Sequence, residues 1–266
     1  MNEPGFTEID LVSHSGDRAD GEFIHTLTLT DIHTAWTENQ AVMGKSQAFV
    51  VEALEQIRKR LPFELLGIDS DNGSEFINHH LHGYCQLLGI EFTRGRPYKK
   101  DDNAHVEQKN WTHVRRLMGY LRYDNPRALA AMNDVYGSEL RFLQNLFLPS
   151  VKLMSKTRVG SRLRRRYDVP RTPLDRLLDC PGPKHPRLAT LRALRDRLDP
   201  FKVSATVDRK LQTTHALSNP RHNPRGQAME AAAPVENRND AVSHKGLGKR
   251  SAFPTAPTAP DSRLHL

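Results

Sequence analysis

The hydrophobic pattern of this chain changes its period near residue 50. Residues 8–14 favour a short strand, and residues 22–32 are rich in β-branched side chains with alternating polarity, as expected for its hairpin partner. Residues 35–43 can add a third strand. From Val50 to Leu61 the apolar residues instead recur at the spacing of one helix face. The change predicts a chain in which a group of strands is followed by packed helices.

Strands and helices then alternate along the chain. An apolar strand is expected at residues 65–68, a helix at 77–88, a short strand at 90–94 and a long helix from Asn103. A further helix is expected over residues 126–147. This order predicts an α/β domain in which helices pack on a mixed five-stranded sheet.

The composition becomes strongly basic after residue 150. Residues 151–210 hold 17 Lys or Arg against six Asp or Glu, in a chain whose net charge is +8. Such a segment predicts a polyanionic partner, with nucleic acid first, although a solvated basic surface is the alternative. Two short helices are expected near residues 174–178 and 188–198. From about residue 214 the chain is poor in apolar residues, which predicts a disordered tail.

Several classes of protein are disfavoured by composition. The two cysteines, Cys85 and Cys180, are too far apart in sequence to indicate a zinc-binding pair, and they do not form a disulfide framework. No stretch approaches the 18 apolar residues of a membrane span, and the N-terminus lacks a signal pattern. These features predict a reduced, cytoplasmic protein without a membrane partner.

Three carboxylates stand out as candidates for chemistry. Asp10 lies in the middle of the first strand, where it either lines a cleft or faces water. Asp71 follows a buried strand, and its alternative role is to start a turn or cap a helix. Glu107 lies in the first turn of the long helix, half-shielded beside the apolar stripe, where the helix dipole alone also favours an acid. Each residue taken singly leaves both interpretations open.

The combination of the three carboxylates is more informative than any one of them. Carboxylates brought together repel one another and raise their pKa values unless cations neutralise them. Hard oxygen ligands select Mg²⁺ or Mn²⁺. Two such ions, roughly 3.5–4 Å apart, can activate an attacking oxygen and stabilise a leaving one in phosphoryl transfer.

Four segments carry a resemblance to a known family. EIDLVSH, TLTLTDIHTAWTE, GIDSDNGSEFIN and RPYKKDDNAHVEQKNWTHVR resemble the retroviral-integrase-type catalytic core of bacterial insertion-sequence transposases, over about residues 6–125. RVGSRLRRRYDVPRTPLDRLL resembles the region that follows this core. The resemblance implies an RNase H-like fold and a catalytic, metal-binding triad of Asp10, Asp71 and Glu107. Asp31, which also ends a strand, is the alternative for the first position.

The resemblance also implies a domain plan. We expect an RNase H-like integrase catalytic core over residues 1–125, then a basic, mostly helical extension and a tail. Within the extension, residues 126–165 are expected to hold helices and a basic arm, and residues 166–213 a small basic helical segment. Residues 214–266 are the predicted disordered tail. Because the first strand begins within ten residues of Met1, we expect no N-terminal helix-turn-helix here, and therefore either a truncated transposase or one whose recognition part lies on another chain.

The resemblance further implies a reaction and its partners. Water attacks a phosphodiester at an element end and frees a 3′-OH, which then attacks target DNA, with two Mg²⁺ or Mn²⁺ ions as cofactors. The expected partners are element-end and target DNA, with further copies of this chain or a full-length transposase. Such a protein is expected at the nucleoid. The alternatives are a catalytically idle DNA-binding remnant and an RNase H-like nuclease acting on RNA–DNA hybrids.

Basic side chains near the predicted triad are candidates for DNA contacts. Lys99 and Lys100 precede the long helix, and Arg115 lies on its Glu107 side. Asn103 either positions DNA or caps the helix. Lys109 lies on the opposite side, where contact with DNA and simple solvation are equally plausible.

A second group of candidates lies in the basic arm, and Trp111 is a separate case. The arm's residues are expected to follow a DNA backbone, or else to form a flexible basic linker; they are Arg162, Arg164, Arg165 and Arg166. Trp111 is expected to pack in the core rather than to stack on a base.

Overall fold

The structure is a computed structural model, and it describes residues 3–71, 73, 76, 79–95, 104–181 and 185–223. These described residues form one compact unit. In the described part, no helix is both long enough and apolar enough to cross a bilayer.

Five strands form one sheet in the order β3-β2-β1-β4-β5. They are β1 (Phe6–Ser13), β2 (Ile24–Asp31), β3 (Thr37–Met43), β4 (Gly67–Ser70) and β5 (Glu91–Arg94). β2 pairs antiparallel with both β1 and β3, whereas β4 pairs parallel with both β1 and β5. The predicted mixed five-stranded sheet is therefore confirmed, and its parallel pairing brings β1 and β4 side by side.

Helices pack on the sheet and continue the chain after its last strand. The first five are α1 (Gln47–Arg58), α2 (His79–Leu88), α3 (Ala104–Lys109), α4 (Arg116–Met118) and α5 (Pro126–Gly137). A π-helical segment, Asn110–Arg115, joins α3 to α4 without a break. The chain continues with α6 (Glu139–Phe142), a π-helical turn (Leu143–Phe147), α7 (Pro173–Asp179), α8 (Arg187–Arg197) and α9 (Pro200–Ala216). Local sequence explains several of the starts, as where Asn125 caps α5 and Pro126 begins it.

The two faces of the sheet differ in chemistry. One face is apolar, since Ile9, Leu27 and Leu29 are fully buried in a core that includes residues of α1 and α2. Each such side chain contributes roughly 1.5–3 kcal/mol by leaving water. The other face carries Glu8 and Asp10, and the helix 104–118 and α5 lie on that side. The apolar face therefore packs the sheet against α1 and α2, and the opposite face carries the polar side chains that can form a functional site.

The region after residue 150 differs in part from the sequence prediction. The two expected short helices are present as α7 and α8. The basic arm is a two-stranded antiparallel hairpin of β6 (Leu153–Val159) and β7 (Arg162–Tyr167). Its turn uses Gly160 at a φ of +60°, a left-handed conformation that glycine adopts without strain. The sequence analysis missed α9, although Asp199 caps it and Pro200 begins it.

The predicted start of the tail at residue 214 needs a correction. Residue 214 lies inside α9, where Thr214 is fully buried. Beyond α9, the Asn219 N–H donates to the Arg122 carbonyl at 2.8 Å, and the Arg122 N–H donates to Asn223 Oδ1 at 2.8 Å. These hydrogen bonds tie the chain to the core as far as residue 223. Residues 224–266, the rest of the predicted tail, lie outside the described residues.

Candidate active site

Two acidic side chains of β1 point to the polar face of the sheet. Glu8 and Asp10 are two residues apart, so they share a face. The parallel register places Glu8 opposite Asp69 of β4, on the same face. On β5, the Thr93 hydroxyl donates to Asp69 Oδ1 at 2.9 Å. The order of the strands thus gathers carboxylates from distant parts of the sequence.

Asp10 is held by a hydrogen bond from the long helix. The side-chain amide of Asn110 donates to Asp10 Oδ2 at 2.5 Å, and the backbone N–H of Leu11 donates to Oδ1 at 2.7 Å. Hydrogen bonds to a carboxylate are shorter and stronger than those between neutral groups. Asn110 therefore fixes the orientation of Asp10 and ties β1 to the helix that carries Glu107.

Asn110 is a site residue that the sequence analysis missed. It is only 8% exposed, and its Oδ1 is buried with no hydrogen-bond partner among the described residues. Leaving such an acceptor unpaired costs about 1–3 kcal/mol. Its position three residues after Glu107 was the available signal, since residues three apart are neighbours on a helix. The unpaired oxygen is also a possible hard ligand for a metal ion beside Asp10.

Glu8 is a second residue that the sequence analysis missed. It is 2% exposed, and its Oε2 accepts a hydrogen bond from the Val106 N–H of α3 at 2.9 Å. Burial raises the pKa of Glu8 to about 7, the backbone N–H groups of α3 oppose this, and the charges of Asp69 and Glu107 add to it. Negative charge thus accumulates where β1, β4 and α3 meet.

The other two predicted triad residues have different surroundings. Glu107 lies in the first turn of α3, as predicted, but its side chain is exposed rather than half-shielded. The reason is that Val106 takes the inward position at this turn. Asp71 follows β4 and is half-buried, and its Oδ1 accepts a hydrogen bond from the Gly73 N–H at 2.9 Å. This hydrogen bond is the turn role that was considered as the alternative for Asp71.

The three predicted ligands are not gathered as a finished metal centre. In the part of the chain that the structure describes, no three Asp, Glu, His or Cys side chains converge closely enough to hold a metal ion. The donor chemistry nevertheless fits a hard divalent cation, because the groups are carboxylates with an unpaired amide oxygen beside them. A cation would also offset the charges of Asp69 and Glu107, which add to the effect of burial on the pKa of Glu8.

Asp31, the alternative first ligand, has a structural role. It is fully buried and accepts hydrogen bonds from the Gly5 N–H at 2.8 Å, the Thr34 N–H at 2.7 Å and the Thr34 hydroxyl at 2.6 Å. Its register partner is Thr7, so it lies on the face opposite to Asp10. These hydrogen bonds favour Asp10 over Asp31 as the candidate ligand.

The basic candidates near the helix occupy its two sides. Lys99, Lys100 and Asn103 lie outside the described residues. Lys109 is half-buried, and burial, followed by the charge of Arg176, lowers its pKa to about 8. Burial also lowers the pKa of Arg115, whereas the charges of Tyr120, Tyr136 and Asp10 raise it. Lys109 thus lies on the side of α7, and Arg115 lies on the side of Asp10.

The hairpin presents the other four predicted DNA-binding residues. All residues of β6 and β7 are exposed. Because side chains alternate along a strand, Arg162, Arg164 and Arg166 share one face, and Arg165 shares the other with its partner Lys156. The ribbon therefore presents cations on both of its faces, which suits it to bind a polyanion.

The helix also corrects one expectation about the core. Trp111 was predicted to pack inside, but 55% of it is exposed. The inward positions of this segment are taken by Asn110, His113 and Val114 instead. The prediction of Trp111 as a core residue was therefore wrong.

Comparison with known proteins shows what the first part of the chain is similar to. Residues 3–100 match the family model described as the integrase core domain. The protein y4rM of Sinorhizobium fredii (strain NBRC 101917 / NGR234), described as uncharacterized, is 46% identical over 173 residues. The aligned part covers 65% of this chain and 49% of y4rM, so the chain spans about half the length of this relative.

Two solved structures of integrase catalytic cores are similar to this chain. The core domain of BIV integrase has 20% sequence identity and a TM-score of 0.38, over 54% of this chain and 84% of that one. The core domain of HTLV-2 integrase, solved in complex with magnesium, has 15% identity and a TM-score of 0.40, over 55% of this chain and 90% of that one.

Proposed function

Because residues 3–100 match the family model of the integrase core domain, we propose that this protein is a transposase that cuts and joins DNA with the help of divalent metal ions. The observation that carries the proposal is the hydrogen bond between Asn110 and Asp10, which links the first predicted ligand to the helix of Glu107. The acidic surroundings of Glu8 support the same assignment.

In this proposal Asp10, Asp71 and Glu107 would hold two Mg²⁺ or Mn²⁺ ions. When bound, the ions would supply the activation of an attacking oxygen and the stabilisation of a leaving one. Asn110 keeps the carboxylate of Asp10 in one orientation, and Glu8 holds the start of α3 against β1. These two buried side chains would therefore position the ligands rather than contact DNA.

The proposed reaction has two steps, and both are displacements at phosphorus. In the first, water attacks a phosphodiester at an element end, the bond to the 3′ oxygen breaks, and a 3′-OH is released. In the second, that hydroxyl attacks a phosphodiester of target DNA and displaces a different 3′ oxygen. Neither step needs a covalent bond between protein and DNA, so neither calls for a nucleophilic serine or tyrosine.

The proposed DNA-binding residues lie in two places. The hairpin arginines (Arg162, Arg164, Arg165 and Arg166) would bind phosphates, with salt-sensitive and sequence-tolerant affinity. The second group lies around the start of the long helix; it comprises Lys99, Lys100, Asn103, Lys109 and Arg115. Element-end and target DNA would be the partners, together with other copies of this chain or of a longer transposase.

A supercoiled plasmid and a labelled duplex oligonucleotide test this proposal. With Mg²⁺ or Mn²⁺ we expect nicking of the plasmid and covalent joining of the oligonucleotide to it. Asp71→Asn and Glu107→Gln should each abolish both products while the circular dichroism spectrum stays unchanged. Glu52→Gln is the matched control, because Glu52 is an exposed carboxylate on α1. Full activity in either triad variant would contradict the proposal.

A second candidate is a DNA-binding chain that does not cleave. The observation in its favour is that no three described acidic, histidine or cysteine side chains converge on a metal, whereas the hairpin exposes its cations without any need of the triad. Metal-independent, salt-sensitive binding with no cleavage would favour it. Cleavage of an RNA–DNA hybrid in place of the plasmid would instead indicate an RNase H-like nuclease.

A further inference from the structure

Trp111 is exposed on the helix that carries Glu107. It lies four residues after Glu107, so the two side chains are neighbours on one side of the helix. The adjacent residue, Asn110, contacts Asp10. The large apolar surface of Trp111 is thus open to solvent about one helical turn from Glu107 and next in sequence to the residue that binds Asp10.

The side of the helix on which Trp111 lies is the side of the candidate site. Arg115, four residues further along, is influenced by the charge of Asp10, whereas Lys109 on the other side is influenced by Arg176 of α7. Glu107, Trp111 and Arg115 therefore form one row of acid, indole and guanidinium. The row combines a candidate metal ligand, an apolar ring and a cation.

The other tryptophan of the chain, Trp36, is a core residue and provides a comparison. Trp36 is completely buried, and its Nε1 donates to Glu38 Oε1 at 2.9 Å. Burying an indole is one of the larger single contributions to a core. Trp111 is 55% exposed, so the fold gains little of that contribution from it. An exposed indole of this kind is typical of a side chain that a binding partner covers.

We propose that Trp111 stacks on a base of DNA bound at the candidate site, while Arg115 binds the adjoining phosphate. Aromatic side chains stack on bases of any sequence, and a cation beside the ring suits the backbone of the same nucleotide. Arg115 lies four residues after Trp111, with its guanidinium over the Tyr120 ring at 4.9 Å from the ring centroid. Its positive charge on this side of the helix favours a nucleotide over an apolar protein surface. This inference rests on the proposed function only in taking DNA as the ligand.

Intrinsic fluorescence tests the inference without requiring activity. The chain has two tryptophans, and because Trp36 is buried, acrylamide should quench Trp111 selectively. A single-stranded oligonucleotide should quench the emission of the wild type and protect it from acrylamide. Heparin, a polyanion without bases, should bind without that quenching. In Trp111→Phe the remaining emission should not respond to the oligonucleotide.

Affinity provides the second measurement. Trp111→Ala should weaken binding of the oligonucleotide about 5- to 100-fold, and Trp111→Phe should weaken it less, since stacking depends on the size of the ring. Phe201→Ala is the matched control, because Phe201 is also an exposed aromatic residue but lies at the start of α9. This control should bind like the wild type.

The possible outcomes separate this inference from the proposed function. Quenching by the oligonucleotide in a chain that never nicks DNA would support the stacking and contradict the enzyme. Plasmid nicking with unchanged Trp111 emission would leave the enzyme standing and overturn the stacking. A response to protein concentration instead of DNA would show that a second copy of the chain covers Trp111, and would also overturn it.

Discussion

The side-chain amide of Asn110 lies 2.5 Å from Asp10 Oδ2, across 100 positions of the sequence. Asn110 stands at the junction between α3 and the π-helical segment, and Asp10 lies on the central strand of the sheet. Some residues orient a metal ligand by a hydrogen bond without contacting the metal. Replacing such a residue commonly lowers metal affinity or activity 10- to 100-fold. This pair is therefore the first place to test the site.

Asn110→Ala should lower metal-dependent nicking by about 10- to 100-fold and raise the Mg²⁺ concentration needed for half-maximal activity. The physical reason is that the carboxylate of Asp10 loses the donor that holds its orientation. A magnesium titration of plasmid nicking measures the effect. The melting temperature serves as the control for folding. An unchanged magnesium requirement in a folded variant would contradict a positioning role for Asn110.

Asp10 and Asp31 should separate function from stability. Asp10→Asn should abolish nicking with little change in the free energy of unfolding, because the new amide oxygen still accepts from Asn110. Asp31→Ala should instead cost roughly 1–3 kcal/mol for each buried N–H that it leaves unpaired, at Gly5 and Thr34. Urea denaturation and plasmid nicking measure the two effects. The reverse pattern would reassign the first ligand to Asp31.

The raised pKa of Glu8 predicts that stability depends on pH. The pKa is about 7 in the folded chain and 4.5 without the fold. Between these two pH values the folded state holds a proton that the unfolded state has lost. The contribution of Glu8 to the free energy of unfolding is therefore complete below pH 4.5 and is lost as the pH rises through 7. The loss is at most about 3 kcal/mol.

Glu8→Gln should remove this pH dependence, since its amide does not titrate. Urea denaturation in EDTA, from pH 4.5 to 8, should give a flatter profile of unfolding free energy for Glu8→Gln than for the wild type. Glu52→Gln, at an exposed position on α1, should keep the wild-type profile. Parallel profiles for all three proteins would show that Glu8 is not the titrating group.

The hairpin should supply salt-sensitive DNA affinity. Replacing Arg162, Arg164 and Arg166 by Gln should weaken duplex binding and reduce the slope of log affinity against log salt by about 2.7, or roughly 0.9 for each phosphate that is no longer neutralised. Fluorescence anisotropy at several salt concentrations measures the slope. Arg192→Gln with Arg197→Gln, two exposed cations of α8, is the control that should change the slope little.

The sequence alone determined the order of most elements and indicated the family that the first part of the chain resembles. Apolar spacing is a local property, so the strands around residues 8–14 and 22–32 and the helix after Val50 were predicted within a few residues. The motif around Asp71 indicated an integrase core, and the match over residues 3–100 agrees. The hairpin was missed because a charged ribbon without alternation gives no strand signal. The helix α9 was missed although Asp199 and Pro200 mark its start.

Only the tertiary structure decided which side chains join the candidate site. Glu8 and Asn110 contact their partners across 98 and 100 positions, through a strand order and a helix placement that local spacing does not encode. The same holds for Trp111, since a helix wheel gives the angle between residues but not which side another element covers. Sheet register and helix packing are non-local, and they are what turned Glu8 and Asn110 into neighbours of the predicted catalytic carboxylates and left Trp111 facing solvent.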